Sequence, residues 1–306
     1  MESIDEKITP ADSKKPRGRK RFGRPRLLIV GCGDIGARIL ARVRDRFRVV
    51  ATTAAPERVA QLRALGAVPL VVNLDRRATL SRLRGVAARV VYLAPPTPHG
   101  VRDLRSRRLI AALGTQATRF VYVSTTGVYG DAQGAWLDET ARCSPATERA
   151  MRRLDAEQQF RFALDASIVR APGIYAADRL PLERLRERRP ALIDHDDVYT
   201  NHIHADDLAR IALAALFRGR PTRVYNAVDD SALKMGEFFE LVAGASNLPR
   251  PPRLARDAVR AQLSPSQYSF MTESRRLRNT RIKRELKVRL EFPTVAAALA
   301  GRAAAT

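Results

Sequence analysis

The chain has 306 residues, 45% hydrophobic and 6% aromatic, and its 55 Lys and Arg against 32 Asp and Glu give a net charge of +23. A chain of this length buries a large core as one domain or two, which excludes wholesale disorder, a collagen-like fibre and a disulfide-stapled miniprotein. Two cysteines, Cys32 and Cys143, make no disulfide framework and no cysteine zinc site, and no apolar run approaches the roughly 18 residues of a membrane span, so a cytoplasmic, soluble protein is expected.

The first 26 residues read as a disordered basic tail. From Lys14 to Arg26, eight of thirteen residues are basic and none is acidic, with Pro and Gly at intervals and no apolar face. Its PRGRK and GRPR pieces partly resemble the AT-hook, a minor-groove arm, which gives a weak suggestion of nucleic acid as a partner. The competing reading is a solvated extension that meets polyanions through charge alone. Only seven of the 55 cations are Lys, so a coding bias towards Arg accounts for the excess as readily as binding does.

Beyond the tail the pattern alternates. Leu27–Val30 is a short apolar run, followed by a glycine turn and a helix through Ile35, Ile39, Leu40 and Val43. Strands are expected at Arg48–Thr53, Val68–Val72, Arg89–Ala94, Arg119–Ser124 and Ser167–Arg170. Helices are expected at Glu57–Leu65, around Leu80–Leu83, at Val101–Leu113 and at Thr147–Leu164. Val-rich strands separated by helices require a parallel sheet covered on both faces, so the fold class is α/β, a Rossmann-type doubly wound parallel sheet. Residues 27–170 form the first domain in this reading, and residues 171–306 a second region, some of whose segments return to the first domain. There a strand is expected at Tyr199–Ile203, a helix at Asp206–Phe217, a strand at Val224–Ala227 and helices at Met235–Ala243 and near Arg275–Leu286.

The sequence Gly31-Cys-Gly33-Asp34-Ile35-Gly36 sits in the first strand–helix unit, where free amides and the helix dipole favour an anion. Gly31 permits the tight turn, Gly33 lets a pyrophosphate approach the backbone, and Gly36 lets the helix pack on the strand. The carboxylate that would accept the ribose 2′-hydroxyl of NAD is absent after the second strand, where Thr52, Thr53, Ala54 and Ala55 stand with Arg58 a turn further on. This favours NADP over NAD as cofactor, with Thr52, Thr53 and Arg58 around a 2′-phosphate, although Arg58 as a solvent-facing charge is the plain alternative.

Five motifs then occur in order: the glycine turn, Tyr92-Leu-Ala-Pro-Pro96, Tyr122-Val-Ser-Thr-Thr-Gly-Val-Tyr-Gly130, Val169-Arg-Ala-Pro-Gly-Ile-Tyr175 and Asn201-His-Ile-His-Ala-Asp-Asp-Leu-Ala209. Together they resemble the extended short-chain dehydrogenase/reductase superfamily, specifically its NAD-dependent epimerase/dehydratase group, over about residues 27–292. The resemblance implies a nicotinamide dinucleotide contacting Leu74, Ala94, Pro95, Pro96, Ser124 and Pro172, a small-molecule substrate that is often a nucleotide sugar, and a homodimer paired through Val101–Leu113 and Thr147–Leu164. It makes residues 27–170 the NAD(P)-binding domain and residues 171–306 a smaller C-terminal α+β substrate domain, and it implies a domain-bracing role for Asn201, His204 and Asp207.

The family's catalytic Ser/Thr falls on Thr125, beside Ser124, but its Tyr falls on or next to Arg149 and its Lys on Arg153. A guanidinium with pKa above about 12 exchanges no proton near neutrality, so neither can replace the tyrosine. Three alternatives stay open: Tyr129, Tyr175 or His204 serves as another acid/base, water protonates a carbonyl polarised by Thr125, or there is no turnover. The choice lies between an NADP-dependent oxidoreductase or epimerase-like enzyme and a non-catalytic NAD(P) sensor with a polyanion-binding tail.

Other candidates have plain competitors. His202 and His204 share a strand face near Asp206, Asp194, His195, Asp196 and Asp197, but no third metal ligand is fixed by spacing and Asp206 is well placed as a helix cap; no metal is expected. Arg179, Arg184, Arg186, Arg188 and Arg189 lie where the family's substrate loop lies, as an anion site or as a solvated face.

Overall fold

The computed structural model describes residues 23–303. Most of the expected basic tail, residues 1–22, lies outside the described residues. The central sheet contains β1 (Arg26–Val30), β2 (Arg48–Thr53), β3 (Val68–Val71), β4 (Arg89–Tyr92) and β5 (Arg119–Thr125), extended by strands Ser167–Ala171 and Val224–Asn226. All neighbours are parallel, in the spatial order Val224–Asn226, Ser167–Ala171, β5, β4, β1, β2, β3. This is the doubly wound order, with the chain reversing direction across the sheet between β1 and β4.

Helices α1 (Asp34–Val43), α2 (Val59–Ala64), α3 (Arg77–Leu80), α4 (Leu104–Leu113), α5 (Glu148–Leu164), α6 (Leu182–Arg186), α7 (Ala205–Arg218) and α8 (Met235–Ala245) follow in chain order. Ile39, Leu40 and Val43 of α1 and Leu208, Ile211 and Ala212 of α7 pack with Leu27, Ile29, Val91 and Val121 on one sheet face. Leu109 and Leu113 of α4 and Ala156 and Phe160 of α5 pack with Leu28, Val90, Tyr92 and Tyr122 on the other. The strands carry apolar side chains in both directions because both faces are covered. A third cluster, including Tyr175, Leu185, Leu192, Phe238, Phe239, Val242 and Val295, fills the region built from the C-terminal half.

Several expected boundaries move for local reasons. The helix expected from Val101 starts at Leu104 because the Asp103 carboxylate accepts the amides of Arg105 and Ser106. The segment expected as helix from Glu57 opens as a 3-10 turn at Pro56–Arg58 before α2. The strand expected over Tyr199–Ile203 breaks at Asn201, whose side chain bonds the Arg275 carbonyl and the Leu277 amide at 3.0 and 2.9 Å. The helix expected near Arg275–Leu286 is reduced to Thr280–Arg284, because Arg276–Leu277 pairs with Trp136–Leu137 instead. A helix at Val295–Ala303 had no counterpart in the sequence reading.

One buried ion pair ties α5 to the sheet. The Arg170 Nε and Nη2 atoms donate to both Glu157 carboxylate oxygens at 2.7–3.2 Å, with the two side chains 4% and 1% exposed. Removing one partner would strand a buried charge. We expect Glu157→Leu to lower unfolding free energy by about 3–5 kcal/mol, and Arg170→Met/Glu157→Leu to lose clearly less, as read by urea denaturation. A double variant as weak as the single one would contradict this.

Candidate functional site

The carboxyl ends of β1, β4 and β5 open onto a cleft of about 310 Å³ lined by Gly31, Gly33, Asp34, Ile35, Gly36, Leu93, Ser124, Thr125, Arg153, Pro172 and Arg179. Gly31 has φ +82°, and a Cβ there would lie 2.7 Å from the Ala94 backbone nitrogen, so glycine is required both for its conformation and for the close approach of β4. A Cβ at Gly36 would lie 3.0 Å from Cys32 Sγ and 3.3 Å from Ile29 Cγ2, which is the helix-on-strand contact. Over Gly33 there is open space.

The amides sort accordingly. Gly31 donates to Thr52 Oγ1 at 3.0 Å, Cys32 to the Thr52 carbonyl at 3.0 Å and Gly33 to the Gly31 carbonyl at 2.9 Å. Asp34, Ile35 and Gly36, in the first turn of α1, have amides with no acceptor among the described residues. Ser124 Oγ, buried in the cleft wall, also lacks a partner. Three orphaned amides at a helix start, an unobstructed glycine and an orphaned hydroxyl fit a dinucleotide diphosphate and its attached ribose.

The structure separates other expected cofactor residues. The Thr52 hydroxyl accepts the Gly31 amide, the Thr53 hydroxyl bonds the backbone of Ala55, and neither residue lines the cleft. Arg58 does lie at the turn, with Nη1 donating to the Cys32 carbonyl at 2.9 Å. Leu74, Ala94, Pro95 and Pro96 do not line the cleft; Leu74 and Ala94 are core residues, and the carbonyls of Pro95 and Pro96 accept from Arg105.

A second cavity of about 520 Å³ adjoins the cleft. Thr125, Pro172, Ile174 and Arg179 line both. Arg149 and Arg153, one turn apart on α5, are divided between them. Arg153 lines the cleft and donates to the Tyr122 hydroxyl and the Val123 carbonyl, each at 3.1 Å, whereas Arg149 lines the second cavity with its guanidinium 4.5 Å from the centre of the Phe270 ring. Arg179, Arg184 and Arg189 also reach the second cavity, but Arg186 and Arg188 do not. The Arg184 Nε is buried without a partner, and burial followed by the nearby Arg189 pushes this guanidinium down to about 10. Phe238, Phe239, Phe270 and Tyr199 add aromatic surface. The pair of Arg275 and Glu273, at 2.7 Å, completes the charged lining; no motif had marked either residue.

Tyr129 does not line either cavity: its hydroxyl donates to Asn226 Oδ1 at 2.8 Å, and burial pushes the phenol up to about 12. His204 accepts the Asp206 amide at 3.2 Å and is the cap of α7, the role expected of Asp206, which instead pairs with Arg38 and Arg42. Among the described residues, no group of three or more His, Cys, Asp or Glu converges on a metal position. The Tyr175 ring lines the second cavity, while its hydroxyl contacts Asp229 Oδ2 at 3.2 Å. Burial pushes the Asp229 carboxyl up to about 7 and His202, stacked on Phe238, down to about 4. Asn201 holds the Arg275–Leu277 segment, and Asp207 accepts the amides of Glu291 and Phe292, so both tie the sheet to later chain.

The fold has relatives along its whole length. A solved conserved protein of unknown function from Silicibacter pomeroyi is 31% identical, with 92% of this chain and 99% of that one covered at a TM-score of 0.79. UDP-glucuronic acid 4-epimerase from Bacillus cereus, in complex with NAD, shares the fold at 16% identity and a TM-score of 0.71, covering 90% and 96%. Human dTDP-D-glucose 4,6-dehydratase is 27% identical over 131 residues, 38% of this chain. The chain has the fold of the nucleotide-sugar epimerases. Four of the five sequence motifs lie at the carboxyl ends of β1, β4, β5 and Ser167–Ala171, and the fifth runs through the short strand His202–His204 into α7. No family model matches the chain, and the match to the curated dehydratases spans little more than a third of their length. No helix among the described residues is long and apolar enough to cross a membrane.

Two measurements check this geometry. We expect Gly33→Asp to keep its unfolding free energy within about 0.5 kcal/mol while Gly31→Ala loses more than about 1 kcal/mol to the Ala94 contact and the positive φ, as read by urea denaturation. The buried Asp229 and His202 give opposite pH slopes. Asp229, with its pKa raised on folding, contributes stability at pH 4 that is lost as pH rises to about 7; His202, with its pKa lowered, contributes stability at pH 7 that is lost as pH falls to about 4. Relative to wild type, Asp229→Asn should gain stability between pH 4.5 and 7.5 and His202→Gln should lose it, by denaturation at each pH.

Proposed function

We propose that this chain is an NADP-dependent oxidoreductase or epimerase-like enzyme acting on a small anionic carbonyl compound or a nucleotide-sugar-like substrate. The observation that carries the reading is the shared wall of Thr125, Pro172, Ile174 and Arg179 between the glycine-turn cleft and the arginine-lined cavity. The solved epimerase that shares the fold is a complex with NAD, which supports the same class of cofactor here. The α1 amides of Asp34, Ile35 and Gly36 would hold the diphosphate, Arg58 the 2′-phosphate, and Ser124 and Arg153 the groups beyond it. When bound, a nicotinamide supplies or accepts hydride.

The chain's own residues do the rest. Arg149, Arg179 and Arg184 orient an anionic substrate group, and an anion there would offset the burial, and the lesser repulsion from Arg189, that lower Arg184. Thr125 stands at the junction, where its hydroxyl can polarise a carbonyl oxygen. Arg153 keeps a positive charge where the family has lysine but moves no proton. Water is then the proton source, because Tyr129 and His204 are engaged elsewhere and the Tyr175 hydroxyl is held by Asp229. That shortage of proton carriers also favours the second reading, a non-catalytic NAD(P) sensor.

Oxidation of NADPH, followed at the nicotinamide absorbance with a panel of phosphorylated carbonyls, oxo acids and nucleotide sugars, decides between them. Turnover with at least one anionic substrate is expected, with Thr125→Ala lowering kcat about 10²-fold and Arg149→Ala acting mainly on KM. Calorimetric binding without turnover across the panel would favour the sensor. Arg58→Ala is expected to weaken NADPH binding about tenfold and leave NADH within about twofold, as a lost charge-assisted contact to phosphate would.

A further inference from the structure

The carboxyl ends of the strands face the cleft; the amino ends carry a separate feature. Four adjacent strands, β2, β1, β4 and β5, begin with arginine: Arg48, Arg26, Arg89 and Arg119. Their register sets them side by side, Arg26 opposite Arg48, Arg89 opposite Leu27, and Arg119 opposite Arg89. With strands about 4.8 Å apart, the row spans roughly 14 Å. Arg24, whose Nη1 donates to the Arg44 carbonyl, and Arg46 in the connection before β2 widen it.

None of these six guanidiniums is within ion-pairing distance of a carboxylate among the described residues, although Asp45 and Asp165 lie in connections on this side. Near the cleft the pattern is reversed: Arg38 alone meets Asp34, Asp178 and Asp206. Like charges side by side across strands are destabilising, and no carboxylate among the described residues offsets them here, although the Gly219 carbonyl accepts from Arg119 at 3.2 Å and the Phe47 ring lies 5.9 Å from the Arg89 guanidinium. A general excess of arginine would place cations anywhere on the surface. It does not explain their alignment at the ends of four neighbouring strands.

We propose that this amino-terminal sheet edge is a docking surface for the phosphate backbone of duplex nucleic acid. A duplex presents about one charge per 1.7 Å of axis, or about eight along the row. The residues following each arginine, Leu27, Val49, Val90 and Phe120, are buried in the sheet, and the exposed apolar side chains beside the row, Val68 at the start of β3 and Phe217 packed on Phe47, are two scattered groups and not the continuous apolar face that enters a bilayer. The chain also enters β1 in the middle of this row. The cations from Lys14 to Arg21 precede Arg26 in sequence by five to twelve residues. The surface lies at the opposite end of the strands from the cleft and does not depend on the proposed enzymatic reading.

The test is a fluorescence-anisotropy titration of a 20-base-pair duplex with the full chain between 50 and 200 mM salt. Binding at 50 mM salt should weaken steeply as salt rises. Arg26→Gln/Arg46→Gln/Arg48→Gln should weaken it at least tenfold and lower the salt slope by about 2–3, while Arg142→Gln/Arg250→Gln/Arg260→Gln, with the same charge loss elsewhere, stays within about threefold. Circular dichroism melting verifies folding, and Arg24→Gln/Arg46→Gln, both on connecting segments, serves if the triple variant melts early. The proposal is overturned if the full chain does not bind at 50 mM salt, if the edge variants match the control, or if phosphatidylglycerol vesicles bind more tightly than duplex at equal phosphate concentration.

Discussion

The close approach of Gly31 to Ala94 governs the rest of the cleft. With a positive φ and no side chain, Gly31 lets the end of β1 press against the chain leaving β4, and Thr52 locks the turn from the other side through its hydroxyl and its carbonyl. The chain therefore enters α1 at once, with three amides directed away from any protein acceptor. A side chain at Gly31 would need either the turn or β4 to move, and the opening between them would be lost. Gly33 and Gly36 depend on that turn: the one leaves room above the backbone, the other lets α1 lie flat on the sheet.

The same sheet end carries two cavities of different character. The cleft is formed by backbone and small side chains, as a cofactor common to many chemistries requires. The neighbouring cavity is formed by guanidiniums and aromatic rings from the C-terminal half, including segments far apart in sequence such as Arg149 and Arg275. Helix α5 joins them because residues four apart share a helix face and differ by one turn in height. Arg153 thus reaches the cleft and Arg149 the cavity. At these two positions of α5 the chain has two guanidiniums, one in each cavity.

Much of the fold was legible because parallel strands buried on both faces give dense Val-rich runs, and β1, β2 and β5 lie within a residue of where those runs predicted them. The glycine turn was legible because each glycine answers a local constraint. Nothing in the sequence shows that the Thr52 and Thr53 hydroxyls already have backbone partners at Gly31 and Ala55. Tyr129 lies away from both cavities because a tyrosine four residues after Thr125 can turn its hydroxyl to the opposite side, here to Asn226. The cap of α7 was assigned to Asp206 because carboxylates commonly cap helices; the chain used His204, which left Asp206 free for Arg38 and Arg42.

The amino-acid order alone determined the alternation of strands and helices and the position of the glycine turn, since these depend on neighbours within a few residues. Tertiary structure alone decided which arginines face the second cavity, which hydroxyls are free, the elevated Asp229 carboxyl and the row of arginines at the amino ends of four strands. Those properties arise from distances and desolvation between segments tens of residues apart, and strand register, which no local pattern specifies, sets them.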